Sequence, residues 1–220
     1  MDLMSTRAAI ICLEGPSAVG KSTVARRLAD DHGCLVIPEV NELFQNEKRF
    51  GDDWYLQRQI DRYARAASAA VSGHVAILDG DPFQPLWYSW VYPEYGPLAH
   101  ATAFYRGAIG TGAIAFPDAY ALLQAPIEQL AARRVADSTR QRHNFDRHLK
   151  MIAPQRRYFE HLGATGFVNI AWIDNSDAKD TASKIARMAQ SAGAVSRSAQ
   201  LLSIACNWLS KNSPTLGDFV

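Results

Sequence analysis

AAIICLEGPSAVGKS, running from Ala8 to Ser22, decides how the rest of the chain is read. Its first part, Ala8–Leu13, is a continuous apolar run, the pattern of a strand buried on both faces in a helix-covered parallel sheet. Its second part, Gly15–Ser22, fits G-x-x-x-x-G-K-[S/T] at every position. Gly15, Pro16, Ser17, Ala18, Val19 and Gly20 make a curled loop whose N–H groups cradle phosphate oxygens. Lys21 has the reach for β- and γ-phosphates, and the Ser22 hydroxyl suits magnesium. The helix opening at Ser22 and Thr23 turns its positive dipole end toward the anion. Chance matches to such a pattern arise on the order of once in a hundred chains of this size, and the flanking strand and helix patterns make this one rarer still.

Outward from this loop the chain alternates strand-like and helix-like stretches, as a parallel sheet with helices on both faces requires. Helix is expected over Ser22–Asp30 with Gly33 as its stop, strand over Cys34–Ile37, helix over Asp52–Ser72 and strand over Val75–Leu78. Gly80–Pro97, rich in Pro, Gly and aromatics, reads as a loop with a short helix. Helix follows over Leu98–Ile109, strand over Ala119–Gln124 and helix from Pro126 to about Val135. The polar stretch Ala136–Asn144 interrupts. Helix resumes over Phe145–Leu162, then strand over Phe167–Ile173 and helix over Ala178–Ala192. The organisation is one P-loop domain over residues 1–194, with a lid at about 136–144 and a helical tail over 195–220. The tail's apolar stripe of Leu201, Leu202, Ile204 and Trp208 packs either on the body or on a second copy, making a homodimer.

Composition narrows the function classes. Of 220 residues 48% are hydrophobic, enough for a real core, and the net charge of +1 supplies no field for a nucleic acid polymer. The cysteines Cys12, Cys34 and Cys206 form no CxxC pair and read as small core residues of a reduced, cytoplasmic protein. No apolar run approaches the ~18 residues of a membrane span.

Three further groups bear on chemistry. Ligands of open α/β sheets collect beyond the carboxyl ends of strands. Asp79 ends the third strand and is expected to hold magnesium opposite Ser22. Asp81, two residues on, is a catalytic or acceptor-binding candidate. Glu39, after the second strand, is the candidate base for an attacking hydroxyl. Arg133, Arg134, Arg140 and Arg142 flank the polar gap. Arg134 is expected on the triphosphate, and Arg140 and Arg142 are expected to close over it and exclude water. Phe44, Trp54, Phe83, Trp87 and Tyr88 lie in segments near the mouth of the sheet and are expected to form an aromatic acceptor pocket.

In this order the residues resemble the nucleoside and nucleotide monophosphate kinase group, and within it the deoxynucleoside kinases, over roughly Ala8–Ala192. The resemblance rests on the P-loop, Pro38-Glu39 after strand two, Asp79 after strand three, Pro117-Asp118 before strand four and Arg140-Gln141-Arg142. It implies ATP and Mg2+ as cofactors, a five-stranded parallel sheet with helices on both faces and an Arg-bearing lid. It also implies Glu39 as base, Phe44 stacked on the acceptor ring and Gln57, beside Trp54, reading the base edge. The family carries an arginine after the third strand to position the acceptor. Here the loop is Asp79-Gly80-Asp81-Pro82-Phe83, without one, and Arg106 is the candidate substitute. That departure turns the expected acceptor toward a neutral hydroxylated small molecule, nucleoside-like or antibiotic- or sugar-like. A nucleoside monophosphate kinase is the alternative, and a P-loop ATPase or regulatory nucleotide-binding protein stands beyond it.

Overall fold

A computed structural model describes residues 7–137 and 145–214. Five parallel strands form one sheet in the order β2-β3-β1-β4-β5. They are β1 (Ile10–Glu14), β2 (Leu35–Ile37), β3 (Ala76–Asp79), β4 (Ala119–Gln124) and β5 (Asn169–Asp174). Each falls within a residue or two of its expected position. The α/β class and the parallel sheet flanked by helices therefore hold.

Alternation along the buried strands sends side chains into two cores. Ile10 and Cys12 of β1 join Leu78 and Tyr120 on one face; Ile11 and Leu13 join Ile77 and Ala121 on the other. The second face is covered by α1 (Lys21–His32), α6 (Ile127–Ala136) and α9 (Ala178–Ser191), through Leu28, Leu130 and Ile185. The first is covered by α3 (Trp54–Val71), α4 (Gln84–Val91), α5 (Leu98–Gly110), α8 (Ile152–Ala164) and α10 (Ser198–Lys211). A short α2 (Val40–Leu43) follows β2.

The single helix expected over Phe145–Leu162 is two, α7 (Phe145–Lys150) and α8, broken at Met151. Pro154 explains the break. A continuous helix would need an N–H at Pro154 bonded to the Lys150 carbonyl, and the ring would clash there. In the first turn of α8 the missing N–H is harmless.

The C-terminal stretch packs on the body. Leu201, Leu202, Ala205 and Leu209 of α10 belong to the first core. The Ser198 hydroxyl accepts the Phe116 N–H at 3.1 Å, and the Asn212 carbonyl accepts the Trp90 indole N–H at 2.7 Å. At the opposite end of the sheet from the P-loop, Arg7 grips Asp118 with both guanidinium nitrogens at 2.7 Å, and the same carboxylate accepts the Ile10 N–H at 2.7 Å. Asp118 thus fastens β4 to β1 by its side chain. Among the described residues no helix is long and apolar enough to cross a membrane.

Candidate functional site

The register pairs Leu13 with Asp79, so the loop after β1 leaves the sheet beside the carboxylate that ends β3. Gly15 (φ 144°) and Gly20 (φ 100°) take backbone angles that favour glycine. Gly15 also lies so close to β4 that a Cβ there would sit 2.4 Å from the Leu123 carbonyl oxygen. Lys21 opens α1 and donates from Nζ to the Gly15 carbonyl at 3.0 Å, which curls the lysine back over the loop.

Glu14 was absent from the candidate residues, yet it is buried and organises the mouth. Its Oε1 accepts the Gly15 N–H at 2.8 Å and its Oε2 accepts the Asp81 N–H at 3.0 Å. One carboxylate thereby ties the phosphate loop to the loop after β3. Arg62 does comparable work from α3. Its Nε donates to the Pro38 carbonyl at 2.7 Å and its Nη2 to the Asp79 and Gly80 carbonyls at 2.6 and 3.1 Å. Its Nη1 donates to the Gln59 side chain at 2.5 Å. The ends of β2 and β3 are pinned together by a buried cation with all three of its nitrogens engaged in the protein. An arginine standing among the apolar stripe of Leu56, Tyr63 and Ala66 was the signal for it.

Asp79 is buried, and its Oδ1 has no hydrogen-bond partner. Burial pushes its carboxyl up to about 6, with Glu39 and Glu14 adding to the rise and Lys21 opposing it. An unpartnered carboxylate oxygen at the strand end is a hard donor well suited to magnesium or its water shell, together with Ser22.

Glu14 and the phosphate loop open into one cleft of about 1410 Å³, and Asp79 stands behind its lining, at the end of β3. The whole loop from Gly15 to Ser22 lines it, with Thr23 beyond. So does Glu39, exposed at the lip, its side chain packed over the Cα of Gly80. Arg49, Tyr55, Gln84, Trp87, Tyr88 and Tyr95 also line the cleft. Arg49 donates to Asn41 at 2.7 Å and spreads over the Trp54 ring at 5.4 Å. Tyr55 donates its hydroxyl to the Gln84 side chain at 3.1 Å, and burial lifts that phenol to about 12.

Several expected site residues stand elsewhere. Asp81 is buried with both oxygens engaged. Its Oδ1 accepts from the Phe83 N–H and the Tyr120 hydroxyl, and its Oδ2 from the Trp87 indole, each at 3.0 Å. It anchors the cleft wall and stands outside the cleft lining. Phe83 is fully buried, stacked on Phe116 with centroids 4.1 Å apart. Phe44 is buried beneath the guanidinium groups of Arg58 and Arg65. Trp54 is only half-buried, but it underlies Arg49 and Arg58 rather than lining the cleft. Gln57 is exposed and bonds Asp61 at 3.2 Å. Arg106 is exposed on α5, outside the cleft lining. Arg134 pairs with Asp146 at 3.2 Å and covers Phe145. Arg133 turns inward to the back of the phosphate loop. Arg140 and Arg142 lie outside the described residues.

A family profile described as AAA domain matches residues 10–160, spanning the phosphate loop, every cleft wall and four of the five strands. The chain belongs to the AAA-domain family. A search of curated protein sequences found no match. Among solved structures, this AAA-domain chain is similar to thymidylate kinase from Candida albicans. The likeness has 12% identity and a TM-score of 0.57, and it covers 84% of this chain and 92% of that one. At that identity the likeness speaks for the fold alone, an α/β P-loop fold with a five-stranded parallel sheet.

Proposed function

We propose that this chain is an ATP-dependent phosphotransferase that moves the γ-phosphate onto a nucleoside monophosphate. The observation that carries the reading is the joint cleft. The phosphate loop with Lys21 and Arg49 with a group of aromatic rings line the same cleft. The loop after β3 lacks a cation for an acceptor phosphate, and Arg49, reaching in from the segment after α2, supplies one. A shared fold with a thymidylate kinase supports the same choice over the neutral hydroxylated acceptor.

In this reading the loop N–H groups bind the β- and γ-phosphates, and Lys21 exchanges the Gly15 carbonyl for phosphate oxygens. Ser22 and Asp79 hold magnesium, which when bound offsets charge on the phosphate oxygens. Arg49 draws the acceptor phosphate toward the loop, and Tyr55, Trp87 and Tyr88 take the flat ring by apolar contact. Such an acceptor already carries an ionised oxygen, so transfer needs no base.

Glu39 favours a second reading. Exposed at the cleft lip, it stands where a hydroxyl acceptor would need a proton taken. Matched acceptors decide between the two. ATP consumption is measured with a panel of nucleosides and their 5′-monophosphates, in wild type, Arg49→Ala and Glu39→Gln. The monophosphates are expected to be the better acceptors, with Arg49→Ala raising their KM about tenfold or more and Glu39→Gln changing turnover less than about threefold. Preference for the free nucleosides, with turnover lost in Glu39→Gln, overturns the monophosphate reading. ATP consumption indifferent to every acceptor makes the chain an ATPase or regulatory nucleotide-binding protein.

A further inference from the structure

We propose that Asn175 and Arg133 are positioning residues that hold the phosphate loop in its binding shape from behind; the consequence for nucleotide affinity rests on the reading above. Neither side chain lines the cleft, so neither acts by touching a ligand. Both converge on one atom of the loop. The Val19 carbonyl accepts from Arg133 Nη1 at 2.8 Å and from Asn175 Nδ2 at 2.7 Å. Arg133 Nη2 closes the triangle on the Asn175 carbonyl at 2.6 Å, and the Asn175 N–H donates to the Gln124 carbonyl at 2.9 Å. The loop is thus fastened at its crown to α6, to the end of β5 and to the end of β4.

The residue before that crown shows what the fastening is for. Ala18 has φ 65°, the left-handed region that a residue with a Cβ enters only at a cost. Among the described residues it is the one non-glycine residue so placed. A loop with an alanine there relaxes toward ordinary angles unless its neighbours prevent it. The two donors on Val19 prevent it.

The orientation of Asn175 is fixed by chemistry. A carbonyl oxygen only accepts, so the amide nitrogen must face Val19. The other end of the amide, Oδ1, is buried without a partner. A side chain serving stability alone would satisfy both ends. This one spends its donor on the phosphate loop and leaves its acceptor orphaned. It also fills the space beside Gly20, where a Cβ would come within 2.8 Å of Nδ2.

The test uses the full chain in four variants. Asn175→Ala deletes the donor. Asn175→Asp keeps the volume and turns an oxygen on Val19. Arg133→Lys keeps the charge and loses the fork that spans two carbonyls. Asn175→Ala with Ala18→Gly removes the donor and the cost it opposes. Hydrogen exchange of the Gly15 and Val19 amides, bonded to the Glu14 carboxylate and the Pro16 carbonyl, is followed in ligand-free protein, and Mg-ATP affinity by calorimetry. The three single variants are expected to exchange these amides about tenfold faster than wild type, while strand amides keep their protection. Their affinity for Mg-ATP is expected to fall about five- to twentyfold, with kcat at saturating ATP within about threefold of wild type. Ala18→Gly is expected to restore at least about threefold of the affinity lost in Asn175→Ala, since glycine adopts that φ freely. Unchanged exchange in the single variants overturns the proposal, and so does a fall in kcat without a change in affinity. Loss of protection throughout the sheet also overturns it, by making the pair general scaffolding. If wild type binds no Mg-ATP, the nucleotide reading fails, while the exchange rates still decide the brace.

Discussion

Gly15→Ala separates close packing behind the phosphate loop from the ordinary cost of a positive φ. The new Cβ would lie 2.4 Å from the Leu123 carbonyl oxygen and 3.2 Å from its carbon, both main-chain atoms of β4 that no rotamer change can move. To reach even 3.0 Å, the loop must shift by about 0.6 Å away from the sheet. The backbone angle adds roughly 1–3 kcal/mol of its own. At ~2–4 °C per kcal/mol for a domain of this size, the angle alone lowers Tm by roughly 2–12 °C. The shift also strains the bonds from the Gly15 N–H to Glu14 and from Lys21 to the Gly15 carbonyl, so Mg-ATP affinity should fall about tenfold or more. Gly33→Ala is the control. Gly33 has φ 66° with nothing within 4 Å of a Cβ, so it carries the angular cost without the clash. Thermal unfolding and calorimetry on both variants are the assay. Gly33→Ala should lower Tm by a few degrees and leave affinity unchanged. If Gly15→Ala keeps affinity within about threefold and loses no more Tm than Gly33→Ala, close packing of the loop against β4 is refuted.

Asp118→Ala should destabilise the fold by about 2–4 kcal/mol without altering ATP affinity, because it strands the part-buried Arg7 and the Ile10 N–H at the end of the sheet remote from the cleft; denaturant unfolding measures it. Asp81→Asn should destabilise by about 1–3 kcal/mol, since no orientation of the amide satisfies three facing donors. Its pH dependence carries a sign. Burial raises the Asp81 carboxyl from 3.8 to about 7, so the folded chain holds this proton more tightly than the unfolded chain. The resulting stabilisation is full below about pH 4 and is lost as pH rises toward 7, so the advantage of wild type over Asp81→Asn should shrink across that window. Tm differences that stay constant from pH 4.5 to pH 8 would show that Asp81 does not titrate there (roughly the window set by the two values).

How much of this was legible in the sequence follows from the range of the signals. The sheet was legible because its strands are short buried runs punctuated by Gly, Pro and Asp. The β4 bounds, Ala119–Gln124, agree to the residue. The phosphate loop was legible because its requirements are local and backbone-based. The acceptor half was not, because helix phase decides it. Along α3 the residues that face the cleft are Tyr55 and Leu56, while their neighbours Trp54 and Gln57 look elsewhere. One residue is ~100° of helix rotation, and an aromatic-rich first turn does not say which side meets a cleft. Phe83 and Asp81 carried the right residue types at the right strand end. Contacts with Phe116 and Tyr120, distant in sequence, turned them into the core. The roles of Glu14 and Arg133 were not legible for the same reason: each is defined by a main-chain atom on another segment.

The placement of α10 has a consequence for how the protein is made. The chain leaves the ribosome from its N-terminus, so all five strands and the phosphate loop are delivered before α10. Until Leu201, Leu202, Ala205 and Leu209 arrive, the helices α4, α5 and α8 lack the partner that completes their shared core. Between the delivery of α8 and that of α10 the nascent domain therefore carries an unsealed apolar flank, the kind of surface that makes partly folded chains prone to aggregate. Closure of this core thus waits on α10, whose residues stand outside the cleft lining.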